Sequence, residues 1–210
     1  MNLKFKRNTL FIICMTLILG GGGCLNLPKR NIESPKLYHL RALDIPLKVE
    51  QSIPEVSWQL TVEEPSSDVR LDTDLVIVDG NYMEVTHVQN IRWVDRLPLL
   101  VQQLLLDLFE KSGKIRGVGS PVEGLDSKYI LLTDLKSFEL TLTPPCVKIR
   151  LAVKLMRVKD REIIGANIFE TSIPISDESL KNVMEAFSQG INQLGQEIVF
   201  WTLTQPKHKK

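Results

Sequence analysis

Between Leu180 and Trp201 eight apolar residues (Leu180, Val183, Met184, Phe187, Ile191, Leu194, Ile198 and Trp201) recur at helical spacing. At about 100° per residue they fall within a sector of about 100°. A stripe held over so many turns demands one long helix with a single face laid on an apolar layer. The spacing predicts a helix opening at Ser176 or Asp177, behind Pro174, and closed by Pro206. The stripe reads as core packing, so the rest of the chain must supply the surface beneath it.

That surface is legible as strands. Lys128–Leu140, Val147–Val158 and Ile163–Ile173 are three long segments. Val147, Ile149, Leu151, Val153 and Leu155 alternate with other residues at the period of a half-buried strand. Lys159-Asp160-Arg161 is a tight polar turn, and connections this short imply an antiparallel meander. Upstream, Trp58–Glu63 alternates and is stopped by Pro65-Ser66-Ser67. Asp74–Asp79 is short and apolar, Asp79-Gly80-Asn81 is a hairpin turn signal, and Tyr82–Val88 resumes alternation.

A first helix is expected from Val94 or Asp95 to Lys111, with Asp95 as N-cap, Pro98 in the first turn and Ser112-Gly113 at its end. Leu97, Leu100, Val101, Leu104, Leu105 and Leu108 form its apolar face. Leu99 and Leu106 lie nearly opposite, either buried under a neighbouring segment or exposed as an apolar contact pair. Residues 114–126 read as a glycine-rich loop. Two long helices segregated from six or seven strands define an α+β two-layer sandwich. In it a mixed, mainly antiparallel sheet carries both helices on one face. Strands before the first helix could pair parallel with those after it.

The N-terminus sets the compartment. Lys4, Lys6 and Arg7 precede an apolar run, Leu10–Leu19, which leads through Gly20-Gly21-Gly22-Gly23 to Cys24. This is the order of a secretory signal peptide. A cysteine at the cleavage point makes it a lipoprotein signal, with Cys24 acylated as the first mature residue. The apolar run is half the length of about 20 residues that a membrane span takes. Gly21 stands where such signals normally carry Leu. Leu25, rather than Asp, follows the cysteine and favours the outer membrane over the inner. The expected organisation is a signal peptide at 1–23, a tether at 24–36, a folded domain at 37–204 and a basic tail at 205–210.

The whole chain carries 26 basic and 25 acidic side chains. The leader holds three of the bases and none of the acids, so the mature chain has a formal charge of −2. No strongly basic face is implied, which argues against nucleic-acid binding. Acylation of Cys24 and loss of Cys14 with the leader leave Cys146 as a lone thiol, so no internal disulfide forms.

Catalytic signals are sparse. His39, His87 and His208 have no second ligand at metal spacing. No G-x-S-x-G elbow exists. Gly117-Val118-Gly119 lacks the third glycine of a dinucleotide loop, and Pro121 intrudes. The sequence reads as a protein that binds, docks or scaffolds, with no catalytic residue, cofactor or metal.

The segment Asn90-Ile91-Arg92-Trp93-Val94-Asp95-Arg96-Leu97-Pro98-Leu99-Leu100 carries a resemblance. An Arg-Trp pair, then Asp, Leu and Pro opening a Leu-rich helix, is similar to the ABC-type transport auxiliary lipoproteins, the PqiC-like components of MCE lipid-transport systems. Tyr38-His39-Leu40, Lys128–Leu131, Ser137-Phe138-Glu139, Ile168-Phe169, Met184–Ser188 and Trp201 agree in order. The resemblance implies an outer-membrane, periplasm-facing docking subunit beside an MCE-domain protein and its ATPase and permease. It implies a homo-oligomer, held to membrane lipid through Cys24. Trp93 and Asp95 then stand for a helix start that is either structural or a partner-contact rim, with Leu99 and Leu106 as further candidates. A periplasmic lipid carrier with an apolar pocket is the alternative.

Overall fold

The structure is a computed structural model that describes residues 34–43, 54–80, 85–177 and 179–205. The signal peptide, Cys24, the tether up to residue 33, the turn at Asn81, Tyr82–Glu84, most of the 41–55 connection, and Pro206 with the tail beyond it lie outside these.

The elements are β1 (Lys36–Tyr38), β2 (Val56–Val62), β3 (Ser66–Ser67), β4 (Leu75–Asp79), β5 (Val85–Trp93), α1 (Leu97–Ser112), β6 (Ile115–Gly119), β7 (Tyr129–Leu142), β8 (Pro145–Arg157), β9 (Ile163–Pro174) and α2 (Leu180–Thr204). They build a nine-stranded mixed sheet flanked by two long helices, the α+β sandwich that the sequence predicts.

β7 is the hub. Along one edge it pairs antiparallel with β8 over its whole length, from Tyr129 opposite Arg157 to Leu142 opposite Pro145. β9 continues the meander on β8. Along its other edge β7 takes three short strands in series, all parallel: β2 at Tyr129–Leu131, β3 at Asp134–Leu135 and β4 at Glu139–Thr141. β6 extends the β2 end, while β5 and then β1 extend the β4 end. The two long ladders are antiparallel, and parallel pairing joins the strands before α1 to those after it.

Alternation decides the two faces, because successive strand residues point to opposite sides. Val147, Ile149, Leu151, Val153 and Leu155 of β8 are buried to 1% exposure or less, and Lys148, Arg150 and Lys154 face the other way. β7 matches them, with Leu131 opposite Leu155, Leu135 opposite Leu151 and Leu140 opposite Val147. α2 lies over this apolar side. Phe187, Ile191, Leu194 and Ile198 of its stripe are fully buried. Gly190 lets it approach closely: an added Cβ would sit 3.1 Å from Ile149 Cδ1 and 3.3 Å from Ile173 Cγ1. Gly195 does the same toward α1, where an added Cβ would collide with Leu108.

Three expectations need correction. α1 begins at Leu97 with Arg96 as its N-cap residue, not at Val94 or Asp95. The backbone before it is already engaged, since Val94 N–H donates to Tyr38 O at 2.8 Å and prolongs the β1–β5 ladder. α2 begins at Leu180, capped by Ser179, whose hydroxyl accepts from Asn182 N–H at 3.4 Å. Asp177 instead takes Ser179 N–H at 2.8 Å, closing a turn before the helix. Residues 114–126 hold a strand, β6, and a 3-10 turn at Pro121–Glu123 rather than only a loop. β6 forms because the edge of β2 is free to pair. Gly119 fits because a Cβ there would lie 2.7 Å from the Glu123 carboxylate, which accepts from Ser120 N–H at 2.7 Å.

A candidate partner-contact rim at the start of the first helix

The end of β5 delivers alternating side chains to opposite faces. Trp93 points inward and is 3% exposed. Its ring meets Phe138 of β7 edge-on at 5.8 Å and Phe187 of α2 at 5.5 Å, while Phe138 and Phe187 stack at 4.9 Å. One indole thus joins β5, the hub strand and the long helix.

Arg92 and Arg96 point outward and hold the connections between β2 and β4. Arg92 Nη1 donates to both Asp74 carboxylate oxygens, at 2.8 and 3.0 Å. Arg96 binds Asp72 and, at 2.7 Å, Glu64. These hydrogen bonds, to Asp72 first and then Glu64, raise the pKa of the Arg96 guanidinium further. The backbone joins in: Trp93 N–H donates to Asp74 O at 2.7 Å and Leu97 N–H to Thr73 O at 2.9 Å. The first-turn amide that Asp95 would have capped is therefore satisfied by the 72–74 backbone. Asp95 is exposed, and its carboxylate accepts from the neighbouring Arg96 N–H at 2.7 Å.

What this end offers to a partner is Val94, 44% exposed, with Asp95, Arg96 and the half-buried Leu99. Leu106 is 8% exposed and belongs to the core, so it and Leu99 do not form one exposed apolar patch. α1 is covered on more than its predicted face. Even Gln102 is buried, and its amide donates to Val62 O at 2.9 Å.

The helix-free face of the sheet carries two open hollows with charged residues in their lining. One open depression of about 480 Å³ is lined by Ser137, Lys148, Arg150, Glu170 and Ser172. Another of about 380 Å³ is lined by Glu63, Glu64, Asp134 and Lys154, with Leu132 and Ala152. Both are open to solvent and carry charged side chains in their lining. Among the described residues no cluster of His, Cys, Asp and Glu could hold a metal ion, and no helix is long and apolar enough to cross a membrane.

On the same face Glu139 is 7% exposed and accepts from Arg70 Nη1 at 3.1 Å. Burial raises its pKa above the ordinary 4.5, and Arg70 offsets only part of the rise. The folded chain therefore holds this proton more tightly than the unfolded chain. The stabilising contribution is complete below about pH 4.5 and is lost as pH climbs through the raised value. Glu139→Gln is expected to raise the urea midpoint at pH 8 and to leave it unchanged near pH 4. A lower midpoint at pH 8 would show instead that the ion pair with Arg70 outweighs burial.

Comparison with known proteins places this fold. A family model described as the ABC-type transport auxiliary lipoprotein component matches residues 38–199. The chain belongs to this family, and so is an auxiliary component of a transport system. The crystal structure of a Xanthomonas campestris protein of the DUF330 family is 27% identical, with a TM-score of 0.71 over 81% of this chain and 96% of that one. A second crystal structure, of a protein described only as uncharacterized, shares the fold at 15% identity, with a TM-score of 0.62 over 80% of this chain and 97% of that one. No curated protein matches the chain.

Sequence reasoning did not find Asn192, a buried polar residue on the flank of α2 outside its apolar stripe, or the grip of Arg92 and Arg96 on residues 64–74. Asn192 left no signal, because at about 100° per residue it falls outside the apolar sector, where a polar residue is expected.

Proposed function

We propose that this chain is the lipid-anchored docking subunit of an MCE-type intermembrane lipid transport system. Acyl chains on Cys24 hold it to the outer membrane, and the domain faces the periplasm as a homo-oligomer. The observation that carries the reading is the family match over 38–199, downstream of a leader at 1–23 that is followed by Cys24. The rim at Val94–Asp95–Arg96 is the contact surface this reading assigns to the MCE protein. It is exposed, yet fixed from behind by Trp93 and from the side by Arg96, and a rigid base favours a defined contact.

The mature domain without lipid is expected to capture the MCE-domain protein of the same envelope. Asp95→Ala should weaken that capture at least fivefold and leave the urea midpoint unchanged. Capture that fails while phospholipid co-purifies would turn the assignment toward a lipid carrier.

A further inference from the structure

Asn192 sits in the middle of α2 at 1% exposure and uses its whole amide on backbone groups. Its Nδ2 donates to Arg41 O at 2.9 Å and to Ser188 O at 2.8 Å. Its Oδ1 accepts from Leu43 N–H at 2.8 Å. Two of the three partners lie about 150 residues away in sequence, in the segment that leads into the fold from Cys24. Lys111 at the end of α1 donates to the carbonyl between them, Ala42 O, at 2.8 Å. Leu40, 2% exposed, plugs the segment into the core, and β1 adds a short parallel ladder on β5.

Both helices and the sheet therefore grip residues 36–43. A three-residue edge ladder is a weak fastening alone, because short terminal segments fray unless tied down. A buried asparagine is also costly on a helix flank covered by protein, and it persists only where all its hydrogen bonds are made. Its bonds are made, and two of them go to this arm.

We propose that Asn192 is a positioning residue for the anchor: it fixes the point at which the lipid tether leaves the domain, and so sets which side of the domain faces the bilayer. This rests on the acylation of Cys24. Eleven residues separate Cys24 from Lys36. At full extension they span about 40 Å, so the lipid is never farther than that from β1. With the exit point clamped, the domain is held near the membrane in a restricted orientation. With the clamp open, the arm up to Leu43 peels away. The free segment then lengthens by about eight residues and about 25 Å of reach.

The test uses the full acylated chain in phosphatidylethanolamine–phosphatidylglycerol vesicles. Hydrogen exchange reads the clamp, and energy transfer from a dye on Val122→Cys to acceptors at the lipid surface reads the height. Val122 is 94% exposed on the 3-10 turn, away from the arm's contacts. Asn192→Ala is expected to speed exchange of the Leu43 amide at least tenfold, leave amides at the centre of α2 within threefold, and broaden the height distribution. Lys111→Met, at an exposed position, should speed exchange at residues 40–43 less, by about threefold, and serves if Asn192→Ala does not fold. Unchanged Leu43 exchange, or an equal rise throughout α2, would overturn the clamp. A loosened arm with unchanged height would overturn the orienting role. An unmodified Cys24 by mass spectrometry would remove the anchoring reading and the orienting role with it, while the exchange result would still decide the clamp.

Discussion

Trp93→Ala is expected to remove about 3–5 kcal/mol of stability, the range for truncating a large buried aromatic. The indole is 3% exposed and touches two rings that also touch each other. Removing it opens a void bounded by β5, β7 and α2, and none of the three can close it alone: β7 is fixed by β8 and α2 by Gly190 against Ile149. A domain of ordinary stability has about 5–15 kcal/mol in all, so this change removes roughly a fifth of it or more. Urea unfolding of the soluble mature domain measures it. Trp93→Phe, which keeps a ring in the cluster, should cost less than half as much. A loss below about 1 kcal/mol for Trp93→Ala would mean that the aromatic cluster does not join the layers. The contrast with Asp95→Ala separates structure from contact at this rim. The buried residue should cost stability and reduce capture only as far as the domain unfolds. The exposed one should reduce capture alone.

The same rim shows what a sequence reveals and what it hides. The α2 stripe and the β7–β8–β9 meander were legible because each side chain's side of the layer is decided by local periodicity. Val147, Ile149, Leu151, Val153 and Leu155 need no partner to declare their face. β6 was hidden because Arg116, Gly117 and Gly119 carry no alternation, and the strand exists only because the edge of β2 is free. The order of β2, β3 and β4 along one edge of β7 was equally hidden, since register between distant strands leaves no local trace. Asp95 has the chemistry of an N-cap, and local chemistry alone put the helix there. A tertiary contact, Tyr38 O with Val94 N–H, drew that backbone into the sheet and moved the helix start to Leu97. The Arg92-Trp93 pair that carries the family resemblance turns out to divide its labour. The tryptophan packs the core, and the arginine pins the 72–74 turn through Asp74.

Cys24→Ser is expected to move the protein from the membrane fraction to the soluble periplasmic fraction, with the folded domain intact. The physical basis is the size of the anchor. Each buried methylene contributes about 0.8 kcal/mol, and one acyl chain gives only marginal, reversible attachment, whereas two or three give stable anchoring. Serine accepts none of these chains at the cleavage point. No other part of the described structure replaces them: no helix there is long and apolar enough to span, and the helix-free sheet face carries Lys148, Arg150 and Glu170. Leu10–Leu19 is half the length of about 20 residues that a membrane span takes. Fractionation with a high-salt wash, followed by intact-mass measurement, checks the result. The mass distinguishes release of the mature chain from retention of the 23-residue leader. The variant domain should unfold at the same urea concentration as the native one, because eleven residues separate Cys24 from the first strand. A Cys24→Ser protein that stays on the membrane through the salt wash with its leader removed would overturn the lipid anchor. The docking assignment would then have to rest on protein contacts alone.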